Sequence, residues 1–259
     1  MLELIVREPT GKTKNRPLLF IHGAWHGAWC WDEHFLPYFA EHGYTVYAPS
    51  LRGHGESPGK VRGTSAKGFL ADVAETVAKL PQPPIIIGHS MGGYLVQKYL
   101  ETHRLPGAIL LASVPAKGVL GTTLRIARHY PRQFIKLNLK LSLYPLVETA
   151  VLAQKQLFSA NMPQDKVECY FKLLGDESYR TFLDMLLFNL PKPKRVKNTP
   201  MLVLGGTDDT VFIVEEVKAT AHAYGTKPHF FPMAHDMMLE DGWEKVAEKM
   251  VSWLEELEP

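Results

Sequence analysis

The hydrophobic positions of the chain fall into two alternating kinds of stretch. Short runs that are apolar throughout predict β-strands covered on both faces. Between them, apolar residues recur with helical spacing, as they do over residues 65–80. Strands are predicted at 2–6, 17–21, 44–48, 85–87, 107–112, 200–204 and 229–231, and helices at 31–42, 65–80, 95–100, 214–223 and 243–257. This alternation predicts an α/β fold, with a mostly parallel central sheet flanked by helices.

The regular alternation stops over residues 117–198, where the apolar spacing is mainly helical. The leucines of residues 137–143 repeat at every second position instead, which leaves strand or helix open for that piece. We therefore predict a core of residues 1–116 and 199–259. Residues 117–198 are predicted to form a mainly helical cap that is inserted above the sheet.

The sharpest junction between a predicted strand and a predicted helix contains a serine. Ser90 stands between Gly88 and Gly92 in the pattern G-x-S-x-G, which is typical of a strained turn that exposes a nucleophile. Glycine suits both flanking positions because side chains there would collide with the neighbouring strand and helix. The turn also directs the backbone N–H of Met91 into the same space. Ser90 is the candidate nucleophile, and Met91 is a candidate oxyanion donor.

A serine hydroxyl needs a general base, and the base needs an acid that orients it. In this fold class ligands bind at the carboxyl ends of the strands, so both groups are sought in loops that follow strands. Asp208 and Asp209 follow the predicted strand at 200–204, and His235 follows the strand at 229–231. A base and an acid are thus predicted at the correct edge of the sheet, with either aspartate as the acid.

Five motifs occur in an order that resembles the α/β-hydrolase superfamily: FIHGAWHGAWCW, LRGHGES, GHSMGG, LGGTDDTV and MAHDMMLE. The resemblance implies that Ser90 is the nucleophile, His235 the base and Asp209 the orienting acid. Family members commonly place the acid three residues after a glycine, here Gly206, whereas counting from Gly205 would select Asp208. Neither a cofactor nor a metal is implied.

The first motif is similar to the HGA-x-HG-x-W motif of the esterase and hydroxynitrile-lyase branch. That likeness implies that the backbone N–H of Ala24 is the second oxyanion donor, opposite Met91. Trp25 is a candidate for the wall of the substrate pocket. His89, beside the nucleophile, is a candidate for the same pocket or for a purely structural role.

The resemblance implies a serine hydrolase that cleaves carboxylic esters of small or lipid-like molecules through an acyl-enzyme intermediate. Lysophospholipase or monoacylglycerol lipase-like activity, thioester or C–C hydrolysis and perhydrolysis use the same residues and stay open. Hydroxynitrile lyases of the branch also need a lysine in the cap, and none can be assigned here. A ligand-sensing protein that keeps the three residues without turnover is the alternative outside enzymology.

Bulk properties narrow the remaining classes. The chain has 259 residues, 46% of them hydrophobic, and a net charge of +2, which is too balanced to indicate nucleic-acid binding. Cys30 and Cys169 are far apart and lack metal-site spacing. The chain shows no signal-peptide pattern and no run that could insert stably in a bilayer, so a cytoplasmic location is predicted. The oligomeric state cannot be predicted.

The predicted cap has an uneven charge distribution. No Asp or Glu occurs between Glu101 and Glu148, and six basic residues of the predicted cap alternate there with apolar ones: Lys117, Arg125, Arg128, Arg132, Lys136 and Lys140. We favour the interpretation that the charged face is in solvent and that the apolar face packs on the core. Weak contact of this basic surface with a lipid interface is the alternative.

Overall fold

A seven-stranded sheet runs through the centre of the computed structural model, which describes residues 1–11 and 13–257. The predicted core also includes residues 12, 258 and 259, which lie outside the described residues. The strands are β1 (Leu4–Arg7), β2 (Leu18–Ile21), β3 (Val46–Pro49), β4 (Ile85–His89), β5 (Ala108–Leu111), β6 (Met201–Gly206) and β7 (Pro228–Phe231). Their order is β1-β3-β2-β4-β5-β6-β7. Only β1 is antiparallel to its neighbour, so the predicted fold class is confirmed.

The strand order reverses at β2, because the chain passes from β2 to β3 on one side and then to β4 on the other. The loops that leave the carboxyl ends of β2 and β4 therefore diverge and leave a crevice between them, which is where open parallel sheets bind ligands. The loop after β2 begins with His22 and Gly23, and the loop after β4 is Ser90.

The helices of the predicted core flank the sheet. They are α1 (Trp29–Asp32), α2 (Phe35–Glu41), α3 (Ala66–Lys79), α4 (Met91–Leu100), then, after the cap, α10 (Val214–Ala223) and α11 (Trp243–Leu257). The single helix predicted at 31–42 is wrong, because two helices occupy this stretch. Pro37 lacks an N–H and its ring would clash with the carbonyl group of Glu33 in a continuous helix, so the helix restarts and Pro37 falls in a first turn.

Five short helices occupy most of the segment between β5 and β6. They are α5 (Leu120–His129), α6 (Pro131–Lys140), α7 (Ala150–Leu157), α8 (Gln164–Phe171) and α9 (Tyr179–Leu183), followed by a π-helical turn at Asp184–Phe188. The leucines of residues 137–143 begin in α6, which ends before Leu141 in the left-handed conformation. We use the name cap for residues 117–198, and their status as a separate domain stays a prediction. Within the described residues, no helix is long and apolar enough to cross a bilayer.

A buried ion pair joins the cap to the core. His54 Nε2 lies 3.1 Å from Glu177 Oε2, and both side chains are almost fully buried. Burial lowers the pKa of His54, but the charge of Glu177 and the hydrogen bond to it raise the pKa by more, so the pKa of His54 lies above its ordinary value. The neutral ring of His22 lies 5.0 Å away, between ring centroids. The contact thus favours the protonated form of His54 more than water does.

The pair should make cap attachment dependent on pH. A raised folded-state pKa stabilises the protein fully below the unfolded pKa of about 6.5, and this stabilisation is lost as pH rises through the folded value. We expect Glu177→Gln to lower the free energy of unfolding by about 2 kcal/mol near pH ~6 and by progressively less at higher pH.

Thermal or urea unfolding across this range measures the effect. Glu75→Gln is the matched control. Glu75 forms an exposed ion pair with Lys79, so this substitution should leave the free energy of unfolding nearly unchanged at every pH. A loss for Glu177→Gln that does not vary with pH would contradict the assignment of the charge to His54.

Candidate active site

Ser90 lies in a backbone conformation that its neighbours impose. Its φ of 51° and ψ of −117° are outside the regions that a serine usually occupies. A Cβ atom on Gly88 would lie 2.5 Å from the carbonyl oxygen of Gly92, and one on Gly92 would overlap the carbonyl oxygen of Ile21. Glycine at both positions lets the first turn of α4 pack directly on β2 and β4. The strained turn is thereby held in place.

Three side chains from separate loops form one hydrogen-bonded chain. Ser90 Oγ lies 2.9 Å from His235 Nε2, and His235 Nδ1 lies 2.8 Å from Asp209 Oδ2. The second carboxylate oxygen, Oδ1, accepts hydrogen bonds from the backbone N–H groups of Val211 and Phe212, at 2.7 and 3.0 Å. These bonds fix the carboxylate and leave Oδ2 for the histidine. The arrangement can transfer a proton from the Ser90 hydroxyl to His235.

The two adjacent aspartates differ in burial and in partners. Asp209 is 4% exposed and contacts His235, whereas Asp208 is exposed and accepts a hydrogen bond from Thr207 Oγ1. Burial lowers the pKa of His235, but the charge and hydrogen bond of Asp209 raise it by more, and the resulting pKa lies above the ordinary value. Asp209 thus stabilises the imidazolium that would form on proton transfer.

The two backbone N–H groups expected to bind an oxyanion belong to Ala24 and Met91. Ala24 and Met91 line the same cavity as Ser90. Neither N–H has an acceptor among the described residues. His22 orients the first of them. The N–H of Leu51 donates to His22 Nε2 at 2.9 Å, so the proton of the neutral ring is on Nδ1, which donates to the carbonyl oxygen of Gly23 at 2.8 Å. That carbonyl belongs to the same peptide group as the N–H of Ala24, which is thereby fixed.

A second buried network supports these loops, and sequence reasoning did not assign it. His26 Nδ1 contacts the carbonyl oxygen of Ala24 at 2.7 Å, and His26 Nε2 contacts Asp236 Oδ2 at 3.0 Å. Burial raises the pKa of Asp236, but His26 and the other nearby histidines lower it by more, so the pKa of this carboxyl lies below its ordinary value. The network links the loop after β2 to the loop that carries His235. The sequence signal for it was limited to the positions of His26 in the motif FIHGAWHGAWCW and of Asp236 in the motif MAHDMMLE.

His89 belongs to this network and lies outside the cavity. Its Nε2 lies 3.1 Å from the carbonyl oxygen of His235 and 3.5 Å from Asp236 Oδ1. Burial, with a further effect of His235, lowers the pKa of His89 to about 3, so the ring is neutral and donates through Nε2. A Cβ atom on Gly23 would lie 2.8 Å from His89 Nδ1. His89 therefore packs between the loops behind His235.

One group of side chains has ligand atoms close enough for a metal ion. His89, His235 and Asp236 each offer an atom within 4.8 Å of the others. Both ring nitrogens of His235 are already engaged, by Asp209 and by Ser90. A metal ion held there would have to break one of those hydrogen bonds, so the geometry favours the proton-transfer arrangement.

The cavity above Ser90 is almost entirely apolar. In the described part of the chain, its lining residues are Ala24, Trp25, Ser90, Met91, Val114, Val119, Thr122, Thr123, Ile126, Phe134, Leu137, Leu143, Leu146, Phe182, Met185, Val211 and Phe212, and none carries a charge. Trp25 adopts a positive φ of 68° in this wall. The cap helices α5 and α6 supply much of the lining, so the cap determines what fits against Ser90.

Comparison with known proteins identifies the family. A family model described as the alpha/beta hydrolase family matches residues 18–249. Since that match covers most of the chain, the protein belongs to the α/β-hydrolase family. The resemblance inferred from the five motifs is therefore confirmed.

Individual relatives have several activities. A non-heme haloperoxidase of Rhodococcus erythropolis is 36% identical over 104 residues, which cover 39% of this chain and 38% of that protein. A non-heme chloroperoxidase of Streptomyces lividans is 37% identical over 109 residues, and the match covers 40% of this chain and 39% of that protein. The chain thus matches well under half the length of these relatives. A probable esterase of Oryza sativa is 26% identical over 250 residues, 93% of this chain and 84% of that protein.

Solved structures agree in fold. A monoacylglycerol lipase of Paleococcus ferrophilus has a TM-score of 0.75 at 22% identity, with 99% of each chain covered. A putative non-heme bromoperoxidase of Mycobacterium tuberculosis has a TM-score of 0.76 at 19% identity, covering 100% of this chain and 97% of the other. At such identities the likeness shows the fold alone. The findings together support an esterase- or lipase-like hydrolase.

Because the backbone is closely packed at the Ser90 turn, a side chain added there should destabilise the fold. We expect Gly92→Ala to lower the free energy of unfolding by about 3 kcal/mol, because the added methyl group overlaps a backbone carbonyl that cannot move without shifting β2. Gly11→Ala is the control, since no atom counted among the described residues lies within 4 Å of a Cβ atom there. Urea unfolding measures both, and equal stability of the two variants would contradict the packing described.

Proposed function

We propose that this protein is a serine hydrolase that cleaves carboxylic esters through an acyl-enzyme intermediate. In this proposal Ser90 is the nucleophile, His235 is the general base and Asp209 is the acid that orients it. The observation that carries the proposal is the hydrogen-bonded chain from Ser90 to Asp209 at 2.9 and 2.8 Å. Ala24 and Met91 line the same cavity as Ser90, and their N–H groups have no acceptor among the described residues, which supports their assignment as the oxyanion hole.

In the acylation step, Ser90 attacks the ester while His235, within hydrogen-bonding distance, accepts its proton. As Ser90 Oγ forms a bond to the ester carbonyl carbon, its proton moves to His235 Nε2 and the carbonyl oxygen becomes an oxyanion. The N–H groups of Ala24 and Met91 stabilise that oxyanion, and each donor contributes roughly 3 kcal/mol to lowering the barrier. The imidazolium, stabilised by Asp209, then gives its proton to the leaving oxygen. The bond to that oxygen breaks, and the alcohol departs.

Deacylation repeats the steps with water. His235 accepts a proton from a water molecule as its oxygen attacks the carbonyl carbon of the acyl-enzyme. The oxyanion forms again at the same two N–H groups. His235 returns the proton to Ser90 Oγ as the bond between Ser90 and the acyl group breaks, and the carboxylic acid is released. The cycle consumes one water and leaves the protein unchanged.

The apolar lining of the cavity supports a preference for esters whose acyl group is apolar. Its lining residues carry no charge among the described residues, and Phe134, Leu137 and Phe182 from the cap face the space above Ser90. Such a surface favours uncharged hydrocarbon by the hydrophobic effect. Monoacylglycerols and similar lipid-like esters fit this description. A hydroxynitrile lyase needs a cap lysine at the substrate, and no lysine is among these lining residues.

Perhydrolysis is the second candidate, because relatives at 36–37% identity are named haloperoxidases. The same acyl-enzyme would transfer its acyl group to hydrogen peroxide instead of water, which yields a peracid. Peracid formation from acetate and hydrogen peroxide, measured beside ester hydrolysis, separates the two activities. A ligand-sensing protein would show neither.

The hydrolase proposal predicts that one hydroxyl is essential. We expect Ser90→Ala to lower kcat on p-nitrophenyl esters, from acetate to palmitate, by at least about 10⁴-fold, because Ser90 Oγ is the nucleophile that contacts His235 Nε2. A fluorophosphonate probe should label the wild type and fail to label this variant.

Ser252→Ala serves as the control because Ser252 is exposed on α11; it should keep full activity and labelling. Ester turnover that survives in Ser90→Ala would disprove the proposal, and unchanged wild-type protein after the probe would favour the sensing alternative.

The orienting acid should be visible in the pH dependence. Because Asp209 raises the pKa of His235, wild-type kcat/KM should fall on the acid side with an apparent pKa above about 6.5. Asp209→Asn should move this acid limb to lower pH and reduce kcat by roughly 10³-fold or more.

Asp208→Asn is the matched control, since the exposed Asp208 does not contact His235. Its pH profile should coincide with that of the wild type. A shifted limb in Asp208→Asn with an unshifted limb in Asp209→Asn would reverse the assignment of the acid.

A further inference from the structure

The outer surface of the cap exposes many large apolar side chains. They include Leu120 and Leu124 on α5, Ile135 and Leu139 on α6, and Leu141 just after α6. Large apolar side chains of a chain in water are normally buried, and a cluster of exposed ones marks a surface that contacts something else.

The helix α6 shows this most clearly, because it has two apolar faces. Phe134 and Leu137 line the cavity above Ser90. On the opposite face Ile135 is 59% exposed and Leu139 is 80% exposed, and their spacing of four residues places them side by side. The expectation that the apolar face of this basic stretch packs on the core does not hold for Ile135 and Leu139 of α6. Its inner face forms the cavity, and its outer face is uncovered.

Cations surround the uncovered leucine and isoleucine. Arg132, Lys136 and Lys140 follow each other at intervals of four residues on the same outer face, and all three are exposed. Lys136 forms an ion pair with Glu148, and such an exposed pair contributes little. Arg132 and Lys140 have no ion-pair partner among the described residues. The surface thus combines apolar side chains with net positive charge.

We infer that the outer face of α6 binds the surface of an anionic lipid bilayer or lipid aggregate. A helix with cations at the edges of an exposed apolar stripe lies in the plane of such an interface, with the apolar side chains among the acyl chains and the cations at the headgroups. A second copy of this chain fits less well. A symmetric contact through the same face would bring the cations of one copy close to the cations of the other.

Binding in this orientation would bring the cavity to the lipid. Only the thickness of α6 separates its outer stripe from Phe134 and Leu137, which line the space above Ser90. A lipid-like substrate would then travel from the interface to the cavity without crossing bulk water. This consequence rests on the proposed function, whereas the binding of α6 to lipid does not.

The binding test uses the full chain with Ser90→Ala, so that lipid turnover plays no part. Flotation with vesicles of phosphatidylcholine mixed with phosphatidylglycerol should recover the protein, vesicles of phosphatidylcholine alone should recover much less, and added salt should weaken the binding. Leu139→Gln should weaken binding at least about fivefold, because one buried leucine side chain is lost from the interface.

Leu173→Gln is the matched control, since Leu173 is another exposed cap leucine outside α6; it should bind as the parent does. Absence of vesicle binding, or equal weakening by both substitutions, would overturn the inference. So would a concentration-dependent dimer in sedimentation that Leu139→Gln abolishes without any lipid binding. The proposed function is tested separately with Leu139→Gln in protein that retains Ser90. Its turnover of a short, water-soluble ester should equal that of the wild type.

Discussion

The close approach of β2, β4 and the start of α4 is the constraint on which the site depends. Only glycine at positions 88 and 92 allows it, because a side chain at either would collide with backbone. The approach forces Ser90 into its strained conformation and brings the loop after β2 alongside. Since the strand order reverses at β2, that loop is free to turn toward Ser90 instead of continuing along the sheet edge.

Hydrogen bonds of buried histidines then hold the loops beside Ser90 in a fixed geometry. His22 holds the peptide group that contains the N–H of Ala24, and His26 holds the next carbonyl and reaches Asp236. His89 contacts the backbone of His235. These rings are buried, so their hydrogen bonds are stronger than in water and leaving one unmade would be costly. The loops are therefore positioned before any substrate arrives, which is the requirement for electrostatic stabilisation of a transition state.

The sequence allowed the sheet, the Ser90 turn and the neighbouring aspartate and histidine to be predicted, since local patterns carry that information. Apolar runs indicate buried strands, and the glycines around Ser90 indicate a close approach. The pair of His54 and Glu177 and the pair of His26 and Asp236 could not be predicted. Their members are more than 100 residues apart, and nothing in one sequence links them. The double face of α6 was missed because periodicity shows that residues share a side, not what covers that side.

Some parts of the cap are hydrogen-bonded to the core, whereas α6 is hydrogen-bonded to the cap. This difference limits which parts of the cap can move without disturbing the core. The N–H of Gly175 donates to the carbonyl oxygen of Trp25, and the carbonyl oxygen of Leu157 accepts from the N–H of Asp236. Swinging the whole cap away would break these bonds and disturb the loops beside Ser90. The hydrogen bonds and ion pairs assigned to α6 within the described residues all end on other cap residues. A displacement of α6 alone would therefore break no described hydrogen bond between cap and core, and the loops beside Ser90 would keep theirs.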